Sequence, residues 1–563
     1  MLLGRLISLG PLATIAHAVT ADSSCRCYPG ESCWPSAQQW NAFNETIGGK
    51  LIPTVPLGSV CHYDSFTPYN AQECAQLTSV WDYPITHYTT TSSPMAAWFQ
   101  NFTCDPYLAP SDSCTLGPFQ PYAVNVTNAQ DVQETLHFTQ KHNIRLVIRN
   151  TGHDYYGKST APGAVALWTH NMKQTEYLDY NSSAYAGPAL RIGAGIQGFE
   201  AMEAANSYGK AIVTGNCASV GIAGGYSQGG GHGPLASWYG LGVDQVLEWE
   251  VVTVSGDVLT VSPTQTPDLF WALTGGGGGT YAIVLSLTVK LHPEVSTAAA
   301  SLTFEAPDKK EIFWEAVKTF VTDIMPLTDV GAVAIWEVAE YLFELSPITL
   351  PGGTRQKLQK QLEPTLSLLK KNNISYSYTI KQFSTYYASY EEMNPGVNIT
   401  EYQIGGRLIP RSVLESNPAS FISTLQSISQ EGGVISGVSL NVSQNQAAVT
   451  SVNPAWRNAA ISVVLGTAFN YTSRTADLNN QKLITDKLVP QLEALSPGGG
   501  AYLNEADFNQ PDWQYVFYGK NYARLETIKS KYDPDGVLYG LTSVGSDKWV
   551  ENNDGQLCRK LQN

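Results

Sequence analysis

Three stretches of this 563-residue chain gather glycine around the few side chains able to do chemistry. The first is Gly152-His153-Asp154, which follows the β-branched run at 144–148. The second is Gly215-Asn216-Cys217-Ala218-Ser219-Val220-Gly221, which leads through Gly224 and Gly225 to Gly229-Gly230-Gly231-His232-Gly233. The third is a run of five glycines at 275–279. Glycines at strand ends let the backbone approach a ligand closely and turn successive N–H groups onto an anion, and a pyrophosphate is the natural guest. Tight packing between layers is the other use of such glycines. A dinucleotide fingerprint needs a strand before its glycines, a helix opening on them and an acid about 20 residues later. Here the glycines are bunched and followed by strands, and no GxxxxGK[ST] run is present.

The cysteines single out one residue. Cys25, Cys27, Cys33, Cys61, Cys74, Cys104 and Cys114 crowd the first 114 residues, Cys558 lies near the end, and Cys217 stands alone between. That pattern reads as a disulfide-stapled N-terminal segment, and nine is odd, so one cysteine is free or otherwise bound. Cys217 is the expected odd one. Cys25-x-Cys27 lacks the CxxC or histidine partners of a metal site, and none is expected.

The elements that carry these loops are mostly strands. VLEWEVVTVSGDVLTV reads as two strands about the turn Ser255-Gly256-Asp257, and DLFWALTGGGGGTYAIVLSLTVKLHP as a short helix, a glycine loop and a strand. Further on, KKEIFWEAVKTFVTDIM and LVPQLEAL have helical spacing, whereas SLTFEA and NAAISVVLGTAF read as strands. An antiparallel sheet with helices on one face follows, an α+β layer. Phe383 to Tyr390 and Gly406-Arg407-Leu408-Ile409-Pro410 are candidates to meet a substrate, core or lid aromatics being the alternative. Pro497-Gly498-Gly499-Gly500 marks a boundary.

These residues carry a resemblance. The loop Arg149-Asn150-Thr151-Gly152-His153-Asp154 with Ser159, the run Gly215-x-Cys217-x-x-Val220-Gly221-x-x-Gly224-Gly225, and Gly229-Gly230-Gly231-His232-Gly233 resemble the flavin-binding domain of the vanillyl-alcohol oxidase / p-cresol methylhydroxylase superfamily. Tyr239-Gly240-Leu241-x-x-Asp244, Asp268-Leu269-Phe270-Trp271-Ala272-Leu273 and Gly519-Lys520-Asn521-Tyr522-x-x-Leu525-x-x-Ile528 extend the likeness to the secreted fungal berberine-bridge-enzyme-like oxidases. It covers roughly residues 118–293 and 500–563. The resemblance implies a two-part flavin-binding domain of the p-cresol methylhydroxylase type plus an antiparallel-sheet substrate domain. The implied boundaries are 1–18 (leader), 19–117 (disulfide-rich segment joining the flavin domain), 118–297 (FAD-binding domain), 298–500 (substrate domain) and 501–563 (return to the FAD domain).

It also implies FAD attached twice: His153 to the flavin 8α carbon and Cys217 through sulfur to the flavin 6-carbon. On residue type alone, His153 also fits a loop-bridging histidine and Cys217 a buried thiol. The other cofactor contacts it implies are Arg149, Asn150, Thr151, Gly152, Asp154, Ser159, Gly215, Val220, Gly221, Gly224, Gly225, Gly230, Gly231, His232, Gly233, Leu235, Gly240, Asp244, Val252, Tyr518, Asn521 and Tyr522. Val220 holds the place of an oxygen gate in plant relatives, where valine goes with oxidase behaviour. Ordinary packing is its other use.

Hydride transfer to flavin N5 needs a base near the adjacent hydroxyl or amine. Carbohydrate oxidases of this kind present a Y-x-N-Y pattern. Here it reads Tyr502-Leu503-Asn504-Glu505, on an expected strand at 501–507, so Glu505 replaces the second tyrosine. Glu505 and Tyr502 are the catalytic candidates, and a carboxylate serves as a base at lower pH than a phenol. A solvated or salt-bridged acid is the alternative reading of Glu505. The expected reaction is oxidation of an alcohol, sugar or specialised metabolite with dioxygen reduced to hydrogen peroxide. A dehydrogenase, an oxidative cyclase and a glycan-binding protein with a vestigial flavin site are the alternatives.

Composition bounds the partners. Lys plus Arg number 33 against 48 Asp plus Glu, a net charge of −15 with no basic run, which argues against nucleic acid. The first eighteen residues, MLLGRLISLGPLATIAHA, read as a secretory leader cleaved after Ala18. Eight N-x-S/T sequons, at Asn44, Asn101, Asn125, Asn181, Asn373, Asn398, Asn441 and Asn470, agree with a secreted glycoprotein. No membrane span is expected, and the protein is expected to be a monomer.

Overall fold

The computed structural model describes residues 25–447 and 449–560. The expected leader lies outside the described residues. Two sheets and a C-terminal segment make one half of the molecule, and a large third sheet makes the other.

The first sheet has the order β1-β2-β4-β3, from β1 (Leu51–Pro53), β2 (Tyr122–Asn125), β3 (Arg145–Arg149) and β4 (Ala164–Trp168). Strands β2, β4 and β3 run parallel, and β1 joins antiparallel, so the disulfide-rich N-terminal segment enters this sheet. The helix Ala129–Lys141, started by Asn128 accepting the N–H of Asp131, covers it with Val132 and Leu136. The second sheet, antiparallel with order β5-β6-β10-β8-β9, comprises β5 (Thr175–Asn181), β6 (Ala186–Gly193), β8 (Val246–Val252), β9 (Val258–Val261) and β10 (Ile283–Lys290). A small pair, β7 (Lys210–Ala211) with β11 (His292–Pro293), flanks it.

Seven antiparallel strands form the third sheet in the order β15-β12-β14-β13-β17-β18-β16. They are β12 (Thr297–Glu305), β13 (Val333–Ala339), β14 (Leu342–Pro351), β15 (Tyr376–Phe383), β16 (Tyr402–Pro410), β17 (Val434–Ser439) and β18 (Ala459–Ala468). The helices Lys310–Asp323, Arg355–Lys371, Pro418–Gln430 and Val489–Leu495 pack on one face. In Lys310–Asp323 the buried Phe313, Ala316, Val317 and Phe320 fall on one helical stripe, and this stripe meets Phe304 and Phe343 of the sheet. A short helix, Tyr386–Met393, sits on the opposite face near Ala299.

Alternation divides the strands between helices and cavity. Ala334, Trp336 and Val338 of β13 enter the helix-covered core, while Ile335 and Glu337 face the other way. Gly437 of β17 lies on the core side because the Trp336 ring fills the space its side chain would need.

Four disulfides join Cys25–Cys558, Cys27–Cys33, Cys61–Cys74 and Cys104–Cys114, leaving Cys217 as the free cysteine among the described residues. The hairpin β19 (Trp549–Glu551) with β20 (Leu557–Arg559) places Cys558 beside Cys25. None of the eight sequon asparagines is buried. Among the described residues, no helix is long and apolar enough to cross a membrane.

Candidate functional site

A cavity of about 610 Å³ lies between the glycine loops of the first two sheets and the uncovered face of the third. Its floor begins where β3 ends. Gly152 adopts φ +84°, a conformation that suits glycine, and a methyl group there would sit 2.7 Å from the Arg149 guanidinium. Asn150, Thr151, Gly152, His153, Asp154 and Ser159 line the cavity. Arg149 does not. It is fully buried under the loop, donating from Nε to the Thr90 carbonyl (2.9 Å) and from Nη2 to those of His87 (3.0 Å) and Ser93 (2.7 Å). It therefore straps the N-terminal segment to the loop that carries His153.

The second loop brings Gly215, Asn216, Cys217, Val220 and Gly221 to the same cavity, with Gly224 and Gly225 following. Side chains are excluded here by contact: a methyl group at Gly221 would lie 2.8 Å from the Asn150 amide. His153 Nε2 and Cys217 Sγ both reach one hydroxyl, Ser219 Oγ, at 2.9 and 3.3 Å. Burial, with the charges of His87 and Arg149, pushes His153 down to about 3, so its imidazole is neutral near pH 7.

Glu505 enters from the C-terminal segment. Residues 501–507 form turns, not the expected strand, because their hydrogen bonds go elsewhere: Glu505 N–H to the Tyr502 carbonyl, and Ala506 N–H to Tyr156 Oη (2.9 Å). Glu505 Oε2 lies 2.9 Å from His232 Nε2, inside the cavity. Burial opposes protonation of His232, yet the charge and hydrogen bond of Glu505 outweigh it and raise the ring's pKa. Tyr502 Oη accepts from Gly231 N–H (3.2 Å) and from Asn504 Nδ2 (2.8 Å). Burial first, and the nearby Glu505, push its phenol well above its ordinary value, so Tyr502 is the poorer base of the two.

The remaining expected contacts sit outside the cavity lining for definite reasons. Asp244 is buried, ion-paired with Arg457 at 2.7 Å and capping the Leu241 N–H. Leu235 and Val252 are fully buried in apolar core. Tyr518 donates to the Thr542 carbonyl, Asn521 to those of Ser451 and Val452, and Tyr522 to Asp547. Gly230, Gly231, Gly233 and Gly240 serve close packing, against Tyr502, Tyr226, the Thr214 carbonyl and the Asn445 carbonyl respectively. Tyr390 donates to the Asn216 carbonyl from behind the loop, and Arg407 is spent on Ser496 and Glu493, so neither of those stretches meets the cavity.

The sequence reading missed Tyr155, Tyr156 and Gln228, which adjoin the motifs, and the wall of the third sheet. Ile335 and Glu337, Tyr402 and Ile404, Ser436 and Val438, and Val464 supply that wall. No motif marks them; their period of two is that of any half-buried strand.

A nucleotide-sized group fits this chemistry. Asn150 Oδ1, Ser159 Oγ and Asn216 Oδ1 are buried without a hydrogen-bond partner in residues that line the cavity. Buried polar atoms are ordinarily paired, so these await a ligand's groups.

Residues 121–262 match the family described as FAD binding domain, and residues 501–545 the family described as Berberine and berberine like. The chain is 48% identical over 541 residues to the FAD-linked oxidoreductase sor8 of Hypocrea jecorina, covering 96% of this chain and 94% of that one. It is 37% identical to the bifunctional decalin synthase calF of Penicillium decumbens, over 98% and 99% of the two chains. Among solved structures, the VAO-type flavoprotein MtVAO615 of Myceliophthora thermophila superposes with a TM-score of 0.91 at 40% identity, over 95% of this chain and 100% of that one. The glucooligosaccharide oxidase of Acremonium strictum, described as carrying a 6-S-cysteinyl, 8α-N1-histidyl FAD, shares the fold at a TM-score of 0.63 and 19% identity, over 76% and 92%.

Proposed function

The chain belongs to the berberine-bridge-enzyme-like FAD-linked oxidoreductases of the vanillyl-alcohol oxidase superfamily, and from that premise we propose that Glu505, paired with His232, is the base of an alcohol-oxidising site facing doubly attached FAD. The single observation that carries the reading is the 2.9 Å contact between Glu505 and His232 inside the cavity that His153 and Cys217 also line. When bound, FAD supplies the hydride acceptor and is reoxidised by dioxygen to give hydrogen peroxide.

The chain's own residues do the rest. His153 and Cys217 hold the ring system; Asn150, Ser159, Asn216 and the glycines at 221, 224 and 225 cradle it. Glu505 takes the hydroxyl proton as the carbon gives up hydride, and His232 orients the carboxylate through their hydrogen bond. The wall of the third sheet bears Ile335, Ile404, Val438 and Val464 beside Glu337, which suits a substrate with an apolar body and disfavours an anionic one. Residues 118–297 with 501–563 are the flavin-holding part and 298–500 the substrate part. Four disulfides and unburied sequon asparagines support a secreted glycoprotein. A second reading, oxidative ring closure, is favoured by the likeness to the decalin synthase.

Glu505→Gln tests the base. In stopped-flow measurements, reduction of the enzyme by substrate slows about 10²- to 10⁴-fold, the range for losing a general base, while reoxidation by oxygen keeps its rate. An equal loss in both halves removes Glu505 from the role.

A further inference from the structure

We infer that the Ser219 hydroxyl positions both points of cofactor attachment, holding His153 in the tautomer, and Cys217 in the charge state, that bond formation requires. The inference rests on the proposed assignment of His153 and Cys217 to FAD.

Three observations meet at this hydroxyl. His153 Nε2 lies 2.9 Å from Ser219 Oγ, and among the described residues the other ring nitrogen, Nδ1, has no hydrogen-bond partner. Cys217 Sγ lies 3.3 Å from the same Oγ. The serine itself is fixed: its carbonyl accepts from Gln197 Nε2 (2.6 Å), and the flanking Ala218 and Val220 carbonyls accept the N–H groups of Phe199 and Gly198. A hydroxyl has one hydrogen and two acceptor lone pairs. With Nε2–H donating to Oγ, the lone pair of His153 is confined to Nδ1, and Oγ–H is left to donate to Cys217 Sγ. One side chain thus leaves the imidazole free to attack and favours the thiolate, the nucleophilic form of cysteine. Burial pushes the Cys217 thiol up, and the Ser219 hydroxyl with the N–H groups of Ser219 and Val220 works against that rise.

The chemistry balances. Each attachment breaks one C–H bond of the flavin and the N–H of the imidazole or the S–H of the thiol. A C–N or C–S bond forms, and the two electrons and two protons released pass to dioxygen, which leaves as hydrogen peroxide. Ser219 makes no bond to the flavin; it is a positioning residue.

The test reads covalent incorporation and not turnover. Full-length wild type and Ser219→Ala, harvested at matched times after induction, are precipitated in acid and peptide-mapped for flavin on the His153 and Cys217 peptides. The ratio of modified to unmodified peptide is expected to fall about tenfold at both sites in Ser219→Ala, the worth of one charge-assisted hydrogen bond. Ser219→Thr and Ser219→Val, alike in shape and differing in the hydroxyl, repeat the comparison should the alanine variant fail to fold: threonine keeps the wild-type ratio and valine loses it. Equal modification in the threonine and valine variants, or an alanine variant as fully modified as wild type, overturns the role of Ser219. A wild type carrying flavin on neither peptide overturns instead the assignment on which the inference rests.

Discussion

The two sides of the cavity are built on opposite principles. On one side, loops at 150–159, 215–225 and 501–505 present side chains one by one: Arg149 underlies the first, strapped to the His87 carbonyl, Gln197 donates to the second, and Tyr156 accepts from Ala506 just beyond the third. On the other side, β13, β16, β17 and β18 present every second residue of a continuous sheet, and what holds them is the helix-covered core on the sheet's far face. The loop side holds its residues by individual backbone conformations and hydrogen bonds. The sheet side can change the chemistry of its wall without disturbing the register that supports it. Two different scaffolds, loops and a sheet, thereby face one cavity.

The sharpest way to break this comparison is where the third sheet presses on the loop that carries Glu505. Gly406 of β16 packs against the Glu505 carbonyl, and a side chain there would collide with it. Gly406→Ala is expected to lower kcat about 100-fold, the cost of misplacing a reacting group by about 1 Å, while flavin on the His153 and Cys217 peptides is unchanged. An unchanged kcat would show that the loop sets the position of Glu505 unaided. A smaller effect sharpens the comparison: Val438→Ala on the wall raises KM about tenfold for an apolar substrate, within the range for removing methyl contacts, at nearly constant kcat. Loss of kcat there would mean that the wall also orients the reacting bond.

The smallest effect is in stability against pH. The folded pKa of His232 is raised above its unfolded value, so the pair with Glu505 contributes its full stability below about 6.5 and loses it as pH rises through the folded value. The difference in Tm between wild type and His232→Gln should shrink from pH 6 to pH 8. A difference that grew with pH would contradict the pairing.

What the sequence discloses follows the same division. His153, Cys217 and the glycines that crowd them are legible because loops encode function in residue types that strands and helices avoid. The odd count of cysteines also points to Cys217, and the disulfides pair the other eight. Within a motif, however, nothing distinguishes a residue that faces the ligand from one that braces the loop beneath it. Arg149 and Asp244 are of the second kind, and only their partners at His87 and Arg457, 62 and 213 residues away, reveal it. The turn at 501–505 escapes a strand reading because Asn504 and Tyr156, side chains and not a neighbouring strand, take up its surroundings. The wall is legible as strands but not as a wall, since the faces are decided by the pairing order β13-β17-β18-β16.

The bond between Cys25 and Cys558 joins residues 533 positions apart, with the whole third sheet inside the loop it closes. Segments from both parts of the chain, before the third sheet and after it, pair at the start of the strand that leads to His153: Cys27 with Ile144 and Leu538 with Leu146. A ribosome delivers Cys558 after every strand of the third sheet. The edge beside the strand that leads to His153 is therefore completed only after every strand of the third sheet has emerged. Once closed, the ring keeps its two halves covalently joined even if the backbone is cut between them.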